Sequence, residues 1–177
     1  DPNRIFLAGV PYFACESGCS AYRSPDSGGT WSCIQPEDPF ERFTQFAPHP
    51  GVSGLLLALG REGIYRSIDD GTTWTLVAAN PEVPGQSERF PPRFLDLDWA
   101  NDEIVYVASE GAGLYWSHDR GATWSPRVPY LGDAVARPWL TRLAVDRFHD
   151  ERIFALARLD AGEPAVEVVL STDGGLS

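Results

Sequence analysis

The sequence predicts an all-β fold: a β-propeller of four-stranded antiparallel blades, incomplete at about three and a half blades. Three observations predict it. An octet of the form Ser-x-Asp-x-Gly-x-Thr-Trp recurs along the chain, each copy lies between two short apolar runs, and a further pair of runs precedes each copy. Self-similarity at a spacing of 43 to 54 residues is the mark of a repeat architecture. β-Branched and aromatic runs bounded by Gly, Asp and Ser read as hairpins, so each repeat is four strands with the octet as its last turn.

Blade one, residues 1–40, carries the octet with Ser24, Asp26, Gly28 and Trp31 between Ala21-Tyr22-Arg23 and Ser32-Cys33-Ile34. Asp1 aligns with the turn after a first strand, so this blade is expected to lack that strand. Blade two, 41–80, runs through Phe43–Phe46 and Leu55-Leu56-Leu57-Ala58-Leu59 to the octet with Ser67, Asp69, Gly71 and Trp74. Blade three, 93–130, repeats this with Phe94-Leu95-Asp96-Leu97-Asp98, Ile104–Ala108 and the octet with Ser117, Asp119, Gly121 and Trp124. Blade four, 139–177, has Thr141–Asp146, Ile153–Ala157 and Ser171, Asp173 and Gly175, and stops one residue short of the tryptophan. It is expected to lack its last strand. A chain in this state is expected to be a segment of something longer, or a mature chain, and the absence of Met agrees with either.

Within each octet the Ser and Asp oxygens can accept hydrogen bonds from turn N–H groups. The Gly can take a positive φ, and the Trp has the apolar area to pack one hairpin on its neighbours. These residues are therefore expected to be structural. Calcium binding is not expected, because one carboxylate and one hydroxyl per turn fall short of the six to eight oxygens, roughly, that the ion takes.

The octets, three full copies and one truncated, resemble the Asp-box or bacterial neuraminidase repeat, and the resemblance covers nearly the whole chain. Proteins with this repeat include sialidases, xyloglucan-degrading glycosidases, sortilin-type receptors and the photosystem II assembly factor. The resemblance implies an Asp-box propeller, and a function has to come from the site. The sialidase Phe/Tyr-Arg-Ile-Pro motif has no match: the nearest strings are Phe90-Pro91-Pro92-Arg93 and Ala136-Arg137-Pro138. A glycosidase needs two facing carboxylates about 5–9 Å apart. Asp133, Asp160, Glu16, Glu62, Glu82, Glu88 and Glu110 are the acidic loop residues on which it would draw.

The formal net charge is −11, with 14 Arg and no Lys. Nonspecific nucleic-acid binding needs a positive footprint, and attachment to anionic lipid needs basic clusters, so neither is expected. No apolar run reaches the length of a membrane-spanning helix. Cys15, Cys19 and Cys33 all fall in blade one, which points to a loop disulfide and an oxidising compartment, periplasmic or secreted. Three pairings are open. If the hairpin closes symmetrically about the octet, Cys33 stands opposite Ala21 with Cys19 diagonal to it. His49, His118 and His149 sit on different blades, so no shared metal site is expected, and no cofactor.

Propeller topology puts the octets on one face and the strand two–three loops and inter-blade connections on the other. That second face carries the irregular segments 10–18, 35–42, 78–93, 128–139 and 158–164. Long loops on rigid scaffolds are where binding concentrates. Tyr12, Phe13, Phe40, Phe90, Tyr130 and Trp139 lie there beside Arg89, Arg93 and Arg137, the residue types of an interface hot spot. The expected function is a non-catalytic propeller outside the cytoplasm that binds a protein partner through this loop face, as an accessory, assembly or structural subunit of a larger complex, a membrane-bound one included. A glycoside hydrolase or carbohydrate-binding propeller with part of its site outside this chain is the alternative.

Overall fold

The structure is a computed structural model that describes residues 3–8, 19, 21–34, 41–82, 93–127, 139–160 and 164–176. Four antiparallel sheets follow one another along the chain, each a meander. The first holds β1 (Ile5–Ala8), β2 (Ala21–Ser24) and β3 (Ser32–Ile34). The second holds β4 (Gln45–Pro48), β5 (Leu56–Leu59), β6 (Gly63–Ser67) and β7 (Thr75–Ala79). The third holds β8 (Phe94–Trp99), β9 (Val105–Ser109), β10 (Gly113–Ser117) and β11 (Ser125–Arg127). The fourth holds β12 (Trp139–Val145), β13 (Ile153–Asp160) and β14 (Pro164–Ser171). All assigned elements are strands, and the fold is that of a partial β-propeller. Among the described residues sheets one and four have three strands each, matching respectively the last three and the first three of the four-strand pattern. No helix of the described residues is long and apolar enough to cross a membrane.

The chain divides into two compact units, Asp1–Leu76 and Val77–Ser177. In the first, Ala21, Ile34, Phe43 and Ala58 form a buried core flanked by Phe6, Phe46, Tyr65 and Trp74. Phe43 is at its centre, 4.8 Å from the Trp74 ring and 5.4 Å from those of Phe46 and Tyr65. β5 is buried throughout, as expected of a strand covered on both faces. In the second unit Tyr106, Ala108, Leu114, Leu140, Leu143, Val145 and Ile153 belong to one core. Two carboxylates join its sheets: Asp96 accepts from the Leu143 N–H at 3.0 Å and Asp98 from the Val145 N–H at 2.9 Å.

One expected register is corrected. Cys33 stands opposite Tyr22, and Ala21 pairs with Ile34. Ala21 and Ile34 are both buried, and a slip of β3 by one residue would keep Ala21 in the core but turn Ile34 out of it. The expected apposition of Cys33 with Ala21 would need that slip.

Candidate functional site

The octet turns are closed by their own side chains. Ser67 Oγ donates to Asp69 Oδ1 at 2.8 Å and accepts the Gly71 N–H at 2.8 Å. Asp69 accepts the Thr73 N–H at 2.8 Å and the Thr73 hydroxyl at 2.6 Å, and Trp74 Nε1 donates to the Gly71 carbonyl. Bonds of the same kind surround Ser24 and Asp26, Ser117 and Asp119, and Ser171 and Asp173. The residue before each Gly is also left-handed: Ser27, Asp70 and Arg120 have φ of 57°, 64° and 59°, and Gly174 takes that place in the fourth turn. Gly71 has φ of 79°, and a Cβ at this position would lie 3.2 Å from the Trp74 ring, so a larger residue would crowd the indole. The Thr73 hydroxyl and amide hold the Asp69 carboxyl at a pKa of about 2. Burial pushes Asp119 up, but its Thr123 and Ser117 bonds outweigh this and bring it also to about 2. Carboxylates engaged in this way are poor bases and poor metal ligands. Among the described residues no group of three or more His, Cys, Asp and Glu converges.

At the octet end of the first unit, Arg4, Phe6, His49, Ser53 and Asp70 line a cleft of about 210 Å³. Arg4 pairs with Asp70 at 2.8 Å and donates to Ser53 Oγ at 3.1 Å. Arg23 reaches the same turn, donating to the Asp70 carbonyl at 2.6 Å and to Thr72 Oγ1 at 3.1 Å. His49 is buried, and its Nδ1 accepts the Gly51 and Val52 N–H groups at 2.9 and 2.8 Å. With that lone pair occupied, Nδ1 is not available as a base or a metal ligand.

The opposite, loop end holds a carboxylate that sequence reasoning missed. Glu41 is 1 % exposed. It accepts from the N–H groups of Arg42, Arg61 and Glu62 and from the Tyr65 hydroxyl. Gly60 permits this, since a Cβ there would lie 2.5 Å from Glu41 Oε1. The signal was present in the two-residue turn Arg61-Glu62: its N–H groups need an acceptor, and an acid stands at the start of the same repeat.

In the second unit Arg93 and Trp139 stand at the loop end, where β8 and β12 begin. The Asp96–Leu143 and Asp98–Val145 bonds tie these two strands together, so their first residues stand at the same end of the unit. Arg93 is exposed, and its carbonyl accepts the Glu110 N–H at 2.9 Å. Trp139 is half-buried, with the Arg158 guanidinium 5.5 Å from its ring centre. Both strands are bulged near this end, between Phe94 and Asp96 and between Leu140 and Arg142, a device that re-aims side chains. Tyr12, Phe13, Phe40, Arg89, Phe90, Tyr130 and Arg137 lie outside the described residues, as do Cys15, Glu16, Glu88 and Asp133. Glu62 and Glu82 are exposed, and Glu62 stands 3.5 Å from Arg61. Glu110 is half-buried, and Asp160 closes β13. The disulfide joins Cys19 to Cys33, with Cα atoms 5.6 Å apart.

No family model matches the chain. It is 26% identical to the xyloglucanase Xgh74A of Acetivibrio thermocellus over 99% of its own length and 24% of that protein's. Among solved structures it is similar to an ancestral GH74 enzyme, with a TM-score of 0.69 and 16% identity over 99% of this chain and 22% of that one. It is also similar to YCF48 from Cyanidioschyzon merolae, with a TM-score of 0.54 and 17% identity over 88% of this chain and 45% of that one. The chain thus spans about a quarter of the length of the curated xyloglucanase it matches. At these identities the likeness to solved structures establishes the β-propeller fold.

Proposed function

We propose that the chain is a non-catalytic propeller module that binds a protein partner through its loop end, outside the cytoplasm, as an accessory, assembly or structural subunit of a larger complex. The observation that carries this reading is where the carboxylates go. Among the described residues Glu41, Asp96 and Asp98, three acids set against packed strands, each accept backbone N–H groups. The octet acids do the same within their turns. A hydrolase needs one carboxyl free to give a proton and another free to take one or to attack. The loop end instead offers Trp139 against Arg158, and an exposed Arg93 at the start of β8, the residue types that dominate protein-binding hot spots. The Cys19–Cys33 bridge supports an oxidising compartment. The Asp-box resemblance of the octets supports kinship with receptor and assembly-factor propellers, a photosystem-like membrane complex included.

The similarity to xyloglucanase Xgh74A over nearly the whole chain favours a second reading, in which the module belongs to a glycoside hydrolase or binds carbohydrate. The catalytic carboxylates then come from outside the described residues. One experiment separates the two. The protein is purified from its source, its companions are identified by mass spectrometry, and the same preparation is assayed on xyloglucan. A stoichiometric protein partner is expected, with Trp139→Ala weakening its capture about tenfold or more, as a hot-spot aromatic would. Xyloglucan cleavage by a protein that purifies alone would overturn the first reading in favour of the second.

A further inference from the structure

We propose that Phe148, in the turn between β12 and β13, anchors a protein contact at the octet end of the second unit, with a partner that offers an apolar pocket rimmed by carboxylates. The proposal goes beyond the functional reading, which concerns the loop end, and does not depend on it.

The turn, residues 146–152, lies at the octet end because the Glu151 carbonyl accepts the Gly174 N–H of the fourth octet at 2.8 Å. The chain builds the same turn once more, over residues 49–55 between β4 and β5. In each the N–H of the first residue closes on the carbonyl of the last: His49 on Leu55 at 2.9 Å, and Asp146 on Arg152 at 3.0 Å. In each the first side chain also accepts N–H groups from inside the turn. His49 Nδ1 takes those of Gly51 and Val52, and Asp146 Oδ1 takes that of Phe148 at 2.9 Å. Asp146 Oδ2 lies 3.1 Å from His149 Nδ1. Place for place, Phe148 answers to Gly51. The turn therefore forms with no side chain at that position, and its shape gives the phenyl ring no task.

Packing gives it none either. Phe148 is 94% exposed, the most of any large apolar side chain among the described residues. Single exposed apolar side chains are ordinary on protein surfaces. This one is set apart by its firm mount and by its neighbours. The Phe148 N–H does most to hold the Asp146 carboxyl below its ordinary range, with smaller help from His149 and Arg152. Asp150 is engaged as well, accepting from Asn101 Nδ2 at 2.8 Å. Arg147 and Arg152 are exposed, and among the described residues neither is held in an ion pair. Of the turn's three acids Glu151 alone is exposed. A bare aromatic ring thus stands among two open guanidinium groups and one open carboxylate, in a chain whose net charge is −11.

Aromatic and arginine side chains are what interface cores are enriched in. The ring calls for an apolar pocket, and the two planar guanidinium groups call for carboxylates, which they can meet with paired hydrogen bonds. An anionic bilayer would also take a phenyl ring and arginines, but Glu151 and the negative charge of the whole chain oppose its approach. A symmetric contact between two copies at this turn would set like arginines against one another.

Site-specific photocrosslinking in the source organism tests this. The full-length protein carries p-benzoylphenylalanine in place of Phe148, and adducts are mapped by mass spectrometry. One adduct is expected, at a segment of a single protein where apolar residues are flanked by Asp or Glu. Arg147→Ala together with Arg152→Ala should lower its yield about tenfold, and Phe148→Ala should raise the Kd of the purified partner about tenfold or more. Raising the salt from about 0.1 M to about 0.5 M should weaken the parent about fivefold and the double variant less than about twofold. Both variants should keep Tm within about 2 °C of the parent, as exposed substitutions do. The adduct should persist in Trp139→Ala, whose own effect reports on the loop end, so that either contact can fail without the other. Its loss there would make the turn a bystander of the loop-end contact and overturn the proposal. No adduct, adducts scattered over unrelated proteins, or adducts on lipid or on a second copy overturn it too. So does a Kd that Phe148→Ala leaves unmoved, or a Tm that the same change lowers by about 5 °C or more, which would give the ring a part in the fold.

Discussion

Asp69 gathers the hydrogens of one turn onto two oxygens: the Ser67 hydroxyl and the Thr72 and Thr73 N–H groups on Oδ1, and the Thr73 hydroxyl on Oδ2. All four bonds favour the ionised form, which is why the folded carboxyl titrates at about 2 rather than near the ordinary value of 3.8. A carboxyl whose folded pKa is depressed contributes stability that is fully present above its unfolded pKa. That contribution is lost as the pH falls through the window from about 4 to about 2. Asp119 titrates in the same window, and Asp26 is shifted in the same direction by its Thr30 bonds. Acid should therefore unfold the protein through its turns. Asp69→Asn keeps the shape but loses the charge, and is expected to lower Tm at pH 7 by about 2–4 °C, as the weakening of a hydrogen bond or two would in a chain of this size. The gap from the parent should close as the pH is lowered from 5 to about 2.5, where the parent carboxyl loses its own advantage. Calorimetry across that range checks it, and a gap constant with pH would show that the charge of Asp69 contributes nothing.

The octets share one sequence pattern, but the hairpins they close are unequally seated. Trp74 rests on Phe43 and Phe46 at 4.8 and 5.7 Å and so ties its hairpin to the core of the first unit. Trp31 makes the same bond to its own turn, from Nε1 to the Gly28 carbonyl, yet is 42% exposed. Trp74→Ala is expected to cost about 2–4 kcal/mol, somewhat under a fully buried aromatic, and Trp31→Ala about 1 kcal/mol or less. Denaturant unfolding of the two variants side by side decides it, and equal costs would mean that the aromatic cluster does not hold the hairpin. This contrast also shows how far the sequence could be read. Turn chemistry is local, so Ser67, Asp69, Gly71 and Thr73 announce their turn within a few residues. The order of strands follows from the apolar runs between such turns. Register was less accessible: symmetric closure about the first octet set Cys33 against Ala21, whereas the core takes Ala21 together with Ile34. Contacts between sheets were not accessible at all. Nothing near Asp96 in the chain announces a bond to the Leu143 N–H, because that pairing exists only once two sheets are packed. Glu41 was overlooked for a related reason, since its partners Arg61, Glu62 and Tyr65 lie across the second sheet. Of the expected binding residues, Arg93 and Trp139 are the two that the described structure brings to one end of a unit.

The two compact units have separate buried clusters, one around Phe43 and one that includes Leu114, Leu143 and Ile153. The disulfide belongs to the first. Cys19 precedes β2 and Cys33 lies in β3, so the bridge clamps the entry of one strand to its neighbour across a separation of 14 residues. Closing a loop of that length removes freedom from the unfolded chain worth about 3 kcal/mol. Cys33 is exposed and open to reductant. Reduction should therefore bear unevenly on the chain. Native-state hydrogen exchange, compared with and without reductant, is expected to show the amides of β1, β2 and β3 losing about 3 kcal/mol of protection while those of β8 to β14 keep theirs. Reduced protein should also bind three equivalents of a thiol label where the oxidised protein binds one, at Cys15. Equal loss of protection in both units would mean that they unfold as a single cooperative body. No loss in either, with one thiol labelled at the outset, would mean that the bridge forms but constrains a part of the unfolded chain already ordered.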